Sequence, residues 1–230
     1  MSAEYGDSVY YHNIATESLS DRLDLKQDDD VLILIPVYGG RLPSLASENL
    51  MHLNGNGQRT VVCVVYGNRD YDDALLELCE IAKSHGFNVV AASAFIAEHC
   101  IFPKVAAGRP DGFDLDIAKR FINTAWRKDK PIELTQIKGN HPYKKIAKVP
   151  LHPVTDYRVC KKCGTCAREC PYNAIDSETF RTDPARCSAC GRCLHVCERD
   201  ARKFKGLMYN LFNKIFTYQN RDAKEPDIFI

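Results

Sequence analysis

Residues 160–174, CKKCGTCARECPYNA, align without a gap on residues 187–201, CSACGRCLHVCERDA. Each copy reads cysteine, two residues, cysteine, two residues, cysteine, three residues, cysteine. One copy is compatible with coincidence or with a zinc site. Two copies in register require a fold that builds the same thiol-bearing loop twice. Of the 11 cysteines, Cys63, Cys79 and Cys100 are scattered, and the other eight fall between Cys160 and Cys197. In an exported chain such density suggests a disulfide framework. Here the opening residues lack the basic head and apolar stretch of a signal peptide, which predicts a cytoplasmic protein and a metal or cluster site. Zinc also uses paired CxxC units, but it normally takes four ligands without a third cysteine interposed at this spacing.

The spacing resembles that of the bacterial two-cluster ferredoxin family. A [4Fe-4S] cube needs four thiolates at the corners of a tetrahedron, and a tight loop with two-residue gaps presents three of them. The resemblance implies that the fourth cysteine of each motif crosses to the other cluster. Carried over position by position, Cys160, Cys163, Cys166 and Cys197 bind one cluster, and Cys187, Cys190, Cys193 and Cys170 bind the other. Gly164 and Gly191 let the backbone approach the inorganic sulfides. Pro171 follows Cys170 at a first helical position, whereas Glu198 follows Cys197. An acidic side chain there opposes adding an electron, so the two clusters are expected to differ in potential. Lys161, Lys162, Arg168, Arg186, Arg192 and Arg199 either help hold the reduced state or form a solvated basic face. Between the copies, SETFRTDPAR reads as a short strand followed by a turn at Asp183 and Pro184.

The front of the chain has a different pattern. VLILIPVY (31–38), TVVCVVYG (60–67) and NVVAASAF (88–95) are continuously apolar and have the length of strands buried on both faces. DYDDALLELCEIAKSHG reads as a helix, with Asp70 as its N-cap, Leu75, Leu78 and Ala82 at helical spacing and Gly86 at its C-terminal stop. A second helix is predicted from Asp114 to about Trp126. Strand alternating with helix implies a parallel sheet covered on both faces. KDKPIELTQIKGNHPYKKIAKVPLHP (128–153) reads as a partly packed connection. In RKFKGLMYNLFNKIFTYQ, residues Phe204, Leu207, Met208, Leu211, Phe212, Ile215 and Phe216 form one stripe of a helix expected to dock on the body.

This front half resembles the flavodoxin-like family, in which ligands sit at the carboxyl ends of the strands. Tyr38, Gly39, Gly40 and Arg41 follow one strand, and Tyr66, Gly67, Asn68 and Arg69 follow the next. The resemblance implies that these loops embrace an FMN ring, with an aromatic stacked on it and backbone amides bonding its polar edge. Arg41, Arg69 and Arg109, together with Glu98 and His99, mark the same sheet edge, where arginine stabilises an anion such as a reduced flavin or an acidic substrate. The family's phosphate loop and first strand have no counterpart. SVYYHNIA (8–15) is a candidate strand, but the missing strand belongs in the middle of the sheet. The expectation is that Met1 is a late start within a longer natural chain, with MSAEYG as the remnant of a first helix. The alternative is that SVYYHNIA pairs directly with VLILIPV and FMN binding is lost.

The predicted organisation is an α/β flavodoxin-like domain over 1–127, a linker over 128–153, a small α+β two-cluster ferredoxin domain over 154–203, and a C-terminal helix and tail over 204–230. The formal charge of +1 in 230 residues gives no case for nucleic acid. The apolar runs are too short for a membrane span, which needs about 20 residues. The expected activity is single-electron transfer between two [4Fe-4S] clusters, a redox partner protein and a candidate FMN, as in fused proteins of anaerobic metabolism. The alternatives are a reductase of a small molecule at the sheet edge and a non-enzymatic cluster module that docks on a partner. Cys63 and Cys79 read as small buried thiols, and Cys100 is the one candidate for reactivity among the three isolated cysteines.

Overall fold

A computed structural model describes residues 9–14, 23, 25–146 and 149–230. The chain divides into two compact units. One comprises Met1–Ala97, Gly108–Ile146 and Lys224–Ile230, and the other Glu98–Ala107 and Ala147–Ala223.

The first unit is a mixed α/β layer built on a predominantly parallel sheet. The three apolar runs form β1 (Val31–Pro36), β2 (Arg59–Tyr66) and β3 (Asn88–Ile96), with α1 (Ser44–Leu50), α2 (Ala74–Ser84) and α3 (Gly112–Ala125) between or after them. β1 pairs β2 and β2 pairs β3, both parallel, so the sheet has no interior place for a missing strand. SVYYHNIA is not a strand over its described residues, 9–14, where Tyr10 and Tyr11 are exposed; Ser8 and Ala15 lie outside the described residues, as does MSAEYG. A short C-terminal strand missed by the apolar pattern, β6 (Asp227–Phe229), adds antiparallel to β3. Val61, Cys63, Val90 and Ala91 of the sheet pack with Phe121, Ile122 and Ala125 of α3. Coverage of both faces fails at β1, whose Leu32 and Leu34 are exposed.

Local capping differs from the sequence expectation. Asp70 does not cap α2; its carboxylate accepts from the Asp72 amide and from Lys138 Nζ. Asp73 holds the N-cap position, but its carboxylate accepts instead from the amides of Asn140 (2.9 Å) and Lys144 (2.6 Å). Those bonds draw the 138–144 stretch onto the unit, and Ile132 and Ile137 are buried with it. Gly86 ends α2 with φ +87°, as its C-terminal position requires. α3 opens on a capping box, Asp111 accepting from the Asp114 amide while Asp114 accepts from the Asp111 amide.

The second unit is small and loop-rich. It holds β4 (Val154–Thr155) and β5 (Arg202–Lys203), which pair antiparallel, the short helices α4 (Thr165–Arg168) and α5 (Arg192–His195), and α6 (Leu207–Gln219). Its core joins Ile101, Phe102 and Val105 to Leu151, Ala189 and Phe204. α6 docks through Tyr209 and Phe216, which pack against that cluster. The expected stripe is not the docked face as a whole, because Leu207, Met208, Leu211, Phe212 and Ile215 are exposed. Among the described residues no helix is long and apolar enough to cross a membrane.

Arg109 and Asp114 form the most enclosed ion pair among the described residues of the first unit, with Arg109 Nε 2.8 Å from Asp114 Oδ2 and a second bond between Nη2 and Oδ1. The guanidinium holds the Asp114 carboxyl below the usual carboxylate range. A depressed folded pKa stabilises above the unfolded value, about 3.9, and that contribution is lost as pH falls through the folded value. Asp114→Asn is therefore expected to lower stability by about 2 kcal/mol at pH 7, with the gap from the natural chain closing below about pH 4. Urea unfolding followed by fluorescence of the single tryptophan, Trp126, at pH 7 and pH 3 measures both.

Candidate metal centre

The sequence repeat is also a backbone repeat. Lys162 (φ +55°) matches Ala189 (+58°), Gly164 (+78°) matches Gly191 (+78°), and Asn173 (+46°) matches Asp200 (+48°), each pair 27 residues apart. Gly164 and Gly191 each start a four-residue helix that carries the third cysteine, Cys166 in α4 and Cys193 in α5. The fourth cysteine follows each helix and accepts from the amide four residues on, Ala174 to Cys170 and Ala201 to Cys197, both at 3.3 Å. The pairing repeats too. Thr155 stands opposite Arg202 in the β4–β5 pair, and Thr182 bridges Ile175 at the corresponding place. The stretch read as a strand before Asp183 is instead a turn over 177–179, held by Asp176, which accepts from the Glu178 and Thr179 amides; only the bridge at Thr182 is extended pairing.

The two halves interleave around a shared apolar centre, in which Cys166 and Cys193 pack with Ile175 and Phe180. Their surroundings differ. Lys161, Lys162 and Cys163 of the first loop are exposed, whereas Ala189 and Gly191 of the second are buried. Cys100 covers the second loop: a Cβ built on Gly191 lies 3.3 Å from Cys100 Cβ and from its carbonyl oxygen. This is the role of Cys100, whose thiol burial pushes up to about 11, away from reactivity. Burial likewise pushes Cys63 and Cys79 up to about 12. In the same way His99 is a packing residue, its ring 4.8 Å from that of Phe216 and its Nδ1 accepting from the Ile101 amide.

Part of the charge around the cysteines is paired. Lys161 Nζ lies 2.7 Å from Glu198 Oε2, which offsets the acidic side chain beside Cys197. Arg192 pairs with Glu169, and Arg168 donates to the Cys163 carbonyl at 3.0 Å. The residue that sequence reasoning missed is Arg202. Its side chain is buried, and its charge opposes the rise that burial imposes on the thiols of Cys166, Cys187 and Cys193, the last lifted to about 11. Its signal lay one position beyond the aligned copies, where Ile175 in the first half corresponds to arginine in the second. Among the described residues, the buried atoms Arg202 Nε and Ser188 Oγ have no hydrogen-bond partner. Thiol-rich loops with buried donors awaiting an acceptor fit an anionic sulfide cluster, whose thiolate and sulfide sulfurs accept hydrogen bonds. Among the described residues, no three His, Cys, Asp or Glu side chains converge on the position of a single metal ion.

The sheet edge does not fit a flavin. Tyr38 and Arg41 close a tight turn on each other, and Gly40 is pressed against Asp72, which leaves no room there even for a Cβ. Tyr66 is 5 % exposed and meets Tyr71 edge to face, so it offers no face for stacking. Gly67 accepts from the Arg69 amide at 2.7 Å, and the residues after it face the chain's own tail: Asn68 accepts from the Lys224 amide, Lys224 Nζ donates to the Arg69 carbonyl, and Tyr71 donates to Asp227 at 2.6 Å. The three arginines expected to await an anion are each paired with a carboxylate, Arg41 with Glu77, Arg69 with Asp72 and Arg109 with Asp114. Burial of a guanidinium in that layer needs a counter-charge, and the chain supplies one each time.

Residues 152–204 match the model of the 4Fe-4S dicluster domain family. No curated protein matches the chain.

The matched glycines offer a direct check of the loop geometry. Gly164→Ala meets only the flexible end of Arg168, whereas Gly191→Ala meets Cys100 backbone and Cβ. Both substitutions incur left-handed strain of about 1 kcal/mol. Gly191→Ala is expected to be the more destabilising by about another 1 kcal/mol, measured by thermal or urea unfolding of the loaded protein.

Proposed function

We propose that this chain is an iron-sulfur electron-transfer protein carrying two [4Fe-4S] clusters. The observation that carries the reading is the exact-register duplication of a four-cysteine loop in sequence and in backbone angle, within the segment that matches a dicluster family. Cys160, Cys163, Cys166 and Cys197 hold one cluster, and Cys187, Cys190, Cys193 and Cys170 the other. When bound, each cube accepts and releases one electron without bond-making at the protein. The chain's own residues fix the thiols through the two glycine-led helices. They shield the second loop with Cys100, Ile101 and Phe102, and leave Cys163 of the first at the surface. That exposed edge is where a redox partner protein exchanges electrons. The residues at the strand ends do not fit FMN, and a small-molecule reductase at that edge loses its support with the arginines paired.

Anaerobic purification with assays for iron, sulfide and flavin tests the reading. About eight iron and eight sulfide per chain are expected from two four-iron cubes, with the broad brown absorption of such clusters and no flavin. A colourless zinc protein overturns it. Cys170→Ala then tests the crossed ligation: the cluster held by Cys187, Cys190 and Cys193 is expected to change in paramagnetic resonance while the other keeps its signal.

A further inference from the structure

The duplication is broken at a position buried in both halves. Ile175 bridges Thr182 just as Arg202 stands opposite Thr155, yet one is apolar and the other a cation. Arg202 is only 3 % exposed. Its Nη1 donates to Thr155 Oγ1 (2.5 Å) and to the Phe180 carbonyl (2.9 Å), and its Nη2 to the Pro153 carbonyl (3.1 Å) and Thr182 Oγ1 (2.5 Å). All four acceptors are neutral, and Nε has none. Among the described residues no carboxylate forms an ion pair with it. By contrast, Arg41 and Arg109, which are less buried, each hold a carboxylate. A charge buried without a counter-ion is strongly disfavoured, so a fold that retains one implies an anion that completes it.

Position identifies that anion. Arg202 lines the same cavity as Cys160, Cys163, Cys166 and Cys197, and it donates to the carbonyl of Phe180, which packs with Cys166 of one set and Cys193 of the other. We propose that Arg202 is the fixed counter-charge of the two clusters and raises the midpoint potential of both. This rests on the two-cluster reading above. Each electron that arrives from a one-electron donor adds a negative charge to a cube, and a buried positive charge nearby favours that reduced state. The two threonines related by the repeat, Thr155 and Thr182, both accept from the guanidinium, so both halves hold it.

The test is a dithionite redox titration of the full, anaerobically purified protein, followed by paramagnetic resonance, with iron and sulfide measured first. In Arg202→Met, iron and sulfide are expected to stay at the natural level while the reduced-to-oxidised ratio of both clusters, read at the natural midpoint, falls about tenfold, a shift of 59 mV for one electron. Arg202→Lys keeps the charge and is expected to fall less than about threefold. Loaded Arg202→Met protein with unchanged midpoints overturns the proposal. If Arg202→Met does not retain clusters, Arg202→Gln is compared with Arg202→Lys. Clusters kept with lysine and lost with both neutral residues support the counter-charge; clusters lost from all three overturn it. Absence of iron and sulfide from the natural chain is read before any variant, and removes the two-cluster reading itself.

Discussion

A four-iron cube needs a thiolate at each corner of a tetrahedron, and a loop that gathers three cysteines at two-residue gaps supplies three of them. On the reading proposed above, the fourth thiol comes from the second copy of the same loop. Much of the second unit follows from that constraint. The halves repeat angle by angle at Lys162 and Ala189, at Gly164 and Gly191, and at Asn173 and Asp200. Their short pairings, Thr155 with Arg202 and Thr182 with Ile175, bind each half to the start or end of the other. A pair of four-residue helices has little stability alone. Here it is held by the shared cluster of Cys166, Cys193, Ile175 and Phe180.

Symmetry of backbone does not extend to environment. One loop keeps Lys161, Lys162 and Cys163 at the surface, with the Lys161–Glu198 pair across it. The other lies under the segment from Cys100 to Val105. Exposure, fixed charge and hydrogen bonds to sulfur are the means by which a protein sets cluster potential. Exposure and fixed charge differ between the halves, so on the two-cluster reading unequal potentials are expected from the fold and not from Glu198 alone.

Legibility in the sequence followed the strength of each physical signal. β1, β2 and β3 were readable because buried parallel strands need unbroken apolar runs, and α3 because its period is regular. α1 is short and begins after Pro43 with no side-chain cap, so it left no signature. β6 is three residues long and is made by edge pairing, which no local pattern encodes. The docked side of α6 depended on where Phe102 stands, and that partner is distant in sequence. The repeat of the cysteine spacing was readable, and the backbone angles follow it. The strand-end loops were misleading, because Tyr-Gly pairs after strands serve tight turns as well as ligands. Only the structure reveals that Glu77, Asp72 and Asp114 neutralise the arginines and that Lys224 returns to Asn68. Arg202 was visible as a break in the repeat, but its burial was not.

The central claim is that two interleaved loops hold two separate four-iron clusters. Native mass spectrometry of the anaerobically prepared chain addresses it directly, since the intact ion reports the bound inorganic mass. The account predicts a mass increase equal to two Fe4S4 units, with a single-unit species arising only on partial release. A mass increase equal to one unit at full loading, or to zinc, contradicts it.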